Sequence, residues 1–184
     1  MTLNKKIELR KSIREAKRAF MQTTPLKERH ALSEQILSRV EQTSQFIEAK
    51  IVLAYYSLDD ELYTHAFVQR WSSKKTILLP KVAGDSLTLH TYIGTSSLKQ
   101  GAYGIMEPCT PVFTDYAAVN LVIVPGVAFD REGNRLGRGR AYYDRLFADL
   151  LPNNIYKVGV CYPFQLVEHV PTEPTDVRMN IVFP

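Results

Sequence analysis

Short apolar runs alternate along this chain with segments of helical periodicity, and that alternation restricts the fold more than any other feature. Residues 51–57 (IVLAYYS), 76–82 (TILLPKV), 120–124 (NLVIV), 156–161 (YKVGVC) and 180–183 (NIVF) are short and apolar, and read as strands. Residues 87–93 (LTLHTYI) alternate, as a strand with one wet face does. A helix is expected over 3–21, where Leu3, Ile7, Ile13, Ala16 and Phe20 fall on one face. A second should cover 25–40, with Thr24 as N-cap and Pro25 at the first helical position. A short helical piece is expected around Gln45, a helix over 61–71 capped by Asp59 and Asp60, and another over 141–150. Strands interleaved with helices predict one α/β domain over residues 1–184, built on a mainly parallel sheet.

A chain of 184 residues is one domain's worth. With 45% hydrophobic residues it can bury a sizeable core without disulfide or metal staples. Cys109 and Cys161 make no CxxC pair, and are expected to be reduced thiols. His30, His65, His90 and His169 show no metal-ligand spacing. The opening residues lack a secretory signal, and no apolar run approaches the ~20 residues of a membrane span, so a soluble cytoplasmic protein is expected. The net charge of +4 suits an anionic partner without choosing among nucleotides, metabolites and nucleic acid.

In such sheets, ligands bind beyond the carboxyl ends of the strands. One segment there concentrates chemistry: Arg135, Arg138 and Arg140 alternate with Gly137 and Gly139, and Tyr142, Tyr143 and Asp144 follow. Glycines let backbone N–H groups approach a ligand, a helix N-terminus favours anions, and arginines bind phosphate or carboxylate. The segment is neither a Walker A motif nor a Rossmann fingerprint, and a solvated basic turn is the plain structural alternative. On the opening helix Arg10, Arg14, Lys17 and Arg18 share a face, either a solvated stripe or a phosphate-facing one. Glu61 is either a helix-capping acid or a carboxylate that accepts hydrogen bonds from a heterocycle. Tyr103 is either packing or a stacking partner. If Asp176 faces Asp144, the two carboxylates with nucleotide phosphates would hold Mg²⁺.

Taken together, RKSIR (10–14), YYSLDDELYT (55–64), LLPKV (78–82), YGIMEP (103–108), VIVPGVAFDREGNRLGRGRAYYDR (122–145) and PTEPTD (171–176) resemble the 5-formyltetrahydrofolate cyclo-ligase family. The glycine–arginine block is the specific part of that resemblance. It implies a three-layer α/β sandwich with helices on both faces. It also implies ATP-dependent closure of 5-formyltetrahydrofolate to 5,10-methenyltetrahydrofolate, through phosphorylation of the formyl oxygen. ATP would be bound by Arg10, Lys11, Ser12, Ile13 and Arg14, and by Arg135, Leu136, Gly137, Arg138, Gly139, Arg140, Ala141, Tyr142 and Tyr143. The folate would meet Tyr56, Glu61 and the 138–142 loop, with Tyr103 as a stacking partner. Asp144 and Asp176 would ligate Mg²⁺, and Arg138, Arg140 and Tyr142 form the expected catalytic set. The partners implied are a small-molecule folate and ATP, with no nucleic acid, no membrane and a monomeric protein.

The family usually has glycine where this chain has Ala141. Alanine fits there if the residue is already helical, which is the expectation. It often has an acid at Tyr63 and a histidine at Thr175. The competing classes are a basic nucleic-acid module and a nucleotide or folate binder without turnover. The first is disfavoured because the basic residues are interleaved with 19 acids and no RRM, KH or helix-turn-helix signature appears.

Overall fold

The computed structural model describes residues 2–101 and 106–184. In chain order the strands are β1 (Ile51–Leu53), β2 (Thr76–Ala83), β3 (Ser86–Thr91), β4 (Leu98–Gln100), β5 (Met106–Pro108), β6 (Val112–Phe113), β7 (Leu121–Val124), β8 (Ala128–Phe129), β9 (Arg135–Leu136), β10 (Tyr156–Val160) and β11 (Ile181–Phe183). The α-helices are α1 (Thr2–Thr23), α2 (Leu26–Glu41), α3 (Ser44–Glu48), α4 (His65–Trp71) and α5 (Tyr142–Asp149). No described helix is long and apolar enough to cross a membrane.

The main sheet has seven strands in the order β11-β10-β7-β1-β2-β3-β6. Pairings from β2 through β1, β7 and β10 to β11 are parallel, whereas β3 pairs antiparallel with β2 and β6. Side chains alternate across each strand, and both faces are apolar. Val52, Ile77, Leu121 and Val158 pack on one face with Ile36 and Leu37 of α2, Phe46 of α3 and Phe67 of α4. Leu53, Leu78 and Val122 pack on the other with Leu146 and Phe147 of α5. Helices therefore cover both faces of a mainly parallel sheet, the three-layer sandwich expected. From β1 the chain winds to β2 on one side, then returns to place β7 on the other. That reversal opens a crevice beyond the carboxyl ends of β1 and β7, the usual ligand position in open α/β sheets.

Several local expectations shift. The run at 51–57 pairs as a strand only over Ile51–Leu53. Helix α4 begins at His65 rather than at 61, so Asp59 and Asp60 do not cap it. Asp60 instead binds Lys17 at 2.6 Å, and the Glu61 carboxylate accepts the Leu58 N–H at 3.0 Å, so 58–61 closes as a turn. Helix α2 starts at Leu26, with Pro25 itself in the cap position. On α1 the buried residues are Lys6 and Ile13, while Leu3 and Ile7 are exposed. The helix does not pack flat on the sheet; it crosses the strand ends. Ile13 packs with Ala128, Leu136 and Val170, and the Phe20 ring lies 4.9 Å from Tyr162 and 5.0 Å from Phe164.

The β8–β9 hairpin is organised by Asp130, which is fully buried. Its Oδ1 accepts N–H bonds from Glu132 (3.0 Å) and Asn134 (2.9 Å). Its Oδ2 accepts from the Asn134 amide (2.8 Å) and from Val170 N–H (3.0 Å). Burial alone would raise this carboxyl, but the four donors outweigh burial and hold it below the usual carboxylate range. Above about pH 3.9, where an unfolded aspartate is ionised, the stabilisation is fully present. It is lost as pH falls through the lower folded-state value. Asp130→Asn turns an amide toward these donors and is expected to cost roughly 2–3 kcal/mol at pH 7. Urea unfolding at pH 7 and at successively lower pH checks this: the gap to the parent protein should narrow on acidification.

Candidate active site

The elements meeting at the crevice bring charge with them. Beyond β7 the chain passes through Pro125 and Gly126 into the β8–β9 hairpin, and β9 delivers Arg135 to a buried position. Arg135 donates from Nη2 to both oxygens of Asp144, at 2.9 and 3.0 Å. Asp144 lies in the first turn of α5, so this ion pair ties the two ends of the 136–143 segment together. The segment between bulges into solvent, with Arg138, Gly139 and Arg140 exposed. Gly139 has φ of +99°, a conformation glycine adopts at little cost.

Ala141 is not helical. It is the cap residue of α5, with φ 52° and ψ 23°, in the left-handed region. The first helical N–H groups have to face the loop, and this reversal turns the chain to do so. An alanine Cβ there costs about 1–2 kcal/mol, a penalty glycine avoids.

Two cavities share the crevice. The smaller, about 270 Å³, is walled by Arg10, Arg14 and Lys17 of α1, by Tyr55, Asp60 and Glu61 after β1, and by Gly126 and Gln165. The larger, about 430 Å³, is walled by the whole 135–144 segment, by Lys6 and Arg10, and by Glu173 and Asp176. Arg10, Glu61, Pro125, Gly126 and Arg138 line both. Arg138 marks the boundary: its Nη2 lies 2.7 Å from Glu61 Oε1 and 3.5 Å from Asp60 Oδ1. Arg10 Nε donates to the Gly137 carbonyl at 2.9 Å and so fastens α1 to the loop. Burial would raise the Asp60 carboxyl, but Lys17 and Arg138 hold it below the usual range.

Most site residues read from sequence converge here. Arg10, Ile13, Arg14, Glu61, Arg135 to Tyr143, Asp144 and Asp176 all line one cavity or both. Asp144 and Asp176 share the larger cavity, but each already has a cation: Arg135 for the former, Lys6 at 2.6 Å for the latter. Lys11 and Ser12 are exposed on the outer side of α1 and line neither cavity. Tyr56 stacks on His65 with ring centres 3.6 Å apart and lies outside both cavities; Tyr55 occupies the wall instead. Tyr103 lies outside the described residues.

Lys6 escaped the sequence reading, because a lysine among many on a basic helix carries no mark of burial. Its ammonium also reaches Glu173 at 2.9 Å. Burial would lower its pKa, yet the bonds to Asp176 and Glu173 outweigh that and raise it. Tyr143 sits against Arg135, whose guanidinium lies 5.6 Å from its ring centre, with its hydroxyl buried and unpaired among the described residues. Burial raises that hydroxyl's pKa, so it stays protonated and serves only as a neutral polar group at neutral pH.

The sequence profile of the 5-formyltetrahydrofolate cyclo-ligase family matches residues 2–184. This chain belongs to that family. A 5-formyltetrahydrofolate cyclo-ligase of Haemophilus influenzae is 30% identical over 185 residues, covering 97% of each chain. That of Escherichia coli K12 is also 30% identical, over 92% of this chain and 94% of its own. The NMR structure of the 5,10-methenyltetrahydrofolate synthetase of Aquifex aeolicus superposes with a TM-score of 0.82 at 34% identity, covering 97% of this chain and 88% of that one. The cyclo-ligase-family member described here is therefore an enzyme, a ligase that converts 5-formyltetrahydrofolate to its cyclised methenyl form.

Within this family member, Ala141→Gly is expected to stabilise the fold by about 0.5–1 kcal/mol, because relief of the left-handed alanine exceeds the added unfolded-chain entropy. Thermal unfolding measures it; a lower melting temperature would show that the alanine is not strained.

Proposed function

We propose that the ring closure is driven by ATP seated in the larger cavity, with the pterin of 5-formyltetrahydrofolate in the smaller one. The observation that carries this reading is the position of Arg138, which lines both cavities and is paired with Glu61. Gly137 to Ala141 offer backbone N–H groups beside the start of α5, where anions are favoured. Arg10 adds charge from α1, and Arg140, whose side chain has no ion-pair partner among the described residues, adds it from the loop; Arg14 lines only the smaller cavity. Leu136 is buried and serves as an anchor for the cradle. Ile13 packs against Leu136 and places α1 over it.

A formyl oxygen is a poor leaving group. In this reading it attacks the γ-phosphorus, the bond from that phosphorus to the bridging oxygen breaks, and ADP departs. The N10 lone pair then attacks the activated carbon. N10 gives up its proton, and phosphate leaves carrying the former formyl oxygen. The protein's work is to position the reactants and neutralise charge on the transferred phosphoryl group. Arg138 and Arg140 are assigned to that charge, and Tyr142 shapes the wall beside them. Glu61 is assigned to the adjacent N–H donors of the pterin. To reach a phosphate, Arg138 has to release Glu61, and the same movement frees that carboxylate for the folate.

No cluster of three or more His, Cys, Asp or Glu side chains suited to a metal occurs among the described residues. Two carboxylates on one cavity wall suit Mg²⁺, which commonly takes one or two carboxylates and completes its shell with phosphates and water. Asp144 and Asp176 are the residues that would hold it, sharing their charge with Arg135 and Lys6. When bound with nucleotide it would supply charge neutralisation at the phosphates.

Arg138→Ala is expected to lower kcat by about 10²–10³-fold, the usual loss when one preorganised charge donor is removed. Circular dichroism should remain unchanged. Formation of the methenyl product, followed by its near-UV absorbance, measures turnover. Omission of ATP should abolish it in the parent enzyme, and parental turnover by a folded Arg138→Ala protein would remove the role assigned to this arginine.

A further inference from the structure

A third cavity, about 380 Å³, adjoins the site on its α2 side and is not used by the chemistry above. Glu61 lines this cavity as well as the other two. Tyr162 contributes its hydroxyl to the wall and donates to the Glu61 carbonyl at 3.3 Å. The two chambers therefore meet at the residue assigned to the pterin.

One wall of this third chamber carries the rings of His30, Tyr63 and His65. His30 lies on Tyr63 with centroids 3.9 Å apart and planes within 17°. Tyr63 meets His65 at 4.6 Å, and His65 lies on Tyr56 at 3.6 Å. His65 Nε2 bonds the Ser57 carbonyl at 2.8 Å, and burial lowers its pKa, so the imidazole is neutral at pH 7. Beside this wall stands Arg29 of α2. Its Nη1 reaches only weak or neutral acceptors, the Met21 sulfur at 2.7 Å and the Asp59 carbonyl at 3.2 Å. Its Nε is buried without a partner, and no carboxylate of the described residues pairs with it. A guanidinium that is half-buried and has no counter-ion lacks the partner it binds best, a carboxylate held by two parallel N–H bonds.

An aromatic wall next to a guanidinium with no carboxylate partner among the described residues suits an aryl group that carries a carboxylate, even with the Asp59 and Glu61 side chains on the same lining. The substrate has such a part: the folate's pterin is joined through N10 to a benzoyl ring bearing glutamate. We infer that the Arg29 chamber seats the aminobenzoyl-glutamate end of the folate, with the ring against the His30–Tyr63–His65 stack and a glutamate carboxylate on Arg29. The inference rests on the placement of the pterin at Glu61. Arg29 is then a specificity-determining residue for the folate tail, remote from the reacting atoms.

The test separates this assignment from the reaction itself by titrating the tail alone. 4-Aminobenzoyl-glutamate and 4-aminobenzoate are added to the intact protein, and the His30 and His65 ring protons are followed by NMR. The glutamyl compound should shift both, and Arg29→Gln should weaken its binding about tenfold, equivalent to one carboxylate–guanidinium contact. In turnover, Arg29→Gln should raise KM for 5-formyltetrahydrofolate by a similar factor with kcat unchanged. KM for the primary amide of 5-formyltetrahydropteroate, whose tail carries no carboxylate, should not move, and Arg29→Lys should recover part of the loss. Equal KM changes for both substrates would overturn the assignment and make Arg29 a structural staple between α1 and the 58–61 turn. Absence of ring-proton shifts with the glutamyl fragment would overturn it whether or not the protein turns over folate.

Discussion

The buried ion pair between Arg135 and Asp144 is the interaction on which the site depends. Arg135 leaves β9, Asp144 enters α5, and the pair holds those points together while the residues between them loop outward. Removing either partner would leave a buried or half-buried charge uncompensated, which typically costs about 3–5 kcal/mol. The loop is thus anchored at both ends, and between them Arg10 holds the Gly137 carbonyl and Arg138 pairs with Glu61. That combination leaves the Arg138 and Arg140 side chains exposed while the backbone beside them keeps its place. Asp130 does the corresponding work one turn earlier, where four hydrogen bonds shape the hairpin that carries Arg135 into position.

The sheet decides where this device stands. Winding from β1 to β2 in one direction and to β7 in the other leaves a gap above the strand ends. The gap is roofed by α1, which reaches it through Arg10, Ile13 and Lys6 rather than through a continuous apolar face. Three cavities meet at Glu61, and Arg138 bridges the two that would hold the reactants. A folate ligase has to bring a nucleotide and a second substrate together without exposing the activated formyl group to water. In the proposed reading, Arg138 at the common wall of the two cavities would stand between those ligands.

The alternation of strand and helix was legible because each strand carries a strong apolar run, and β7 is buried at every position. The two-residue strands β6, β8 and β9 were not legible: pairs such as Ala128–Phe129 have no periodicity to read, and tertiary contacts alone define them. The 135–144 segment stood out because arginine, glycine and tyrosine together have few structural uses. Lys6 was hidden because its burial depends on Glu173 and Asp176, far away in sequence. Ala141 was misjudged as helical since alanine favours helices, yet the turn into α5 needs a left-handed residue whatever occupies it. Tyr55 and Tyr56 show the period of an extended chain: adjacent residues face opposite ways, and only Tyr55 reaches the cavity.

The central claim is that nucleotide and folate share one site through Arg138. The direct measurement is isothermal titration of 5-formyltetrahydrofolate into the enzyme with and without saturating Mg²⁺ and a non-hydrolysable ATP analogue. If the nucleotide draws Arg138 away from Glu61, the folate should bind at least about fivefold more tightly in its presence, a coupling of roughly 1 kcal/mol. Equal folate affinity in both titrations would contradict the account, because nucleotide binding would then not release the Glu61 carboxylate from Arg138.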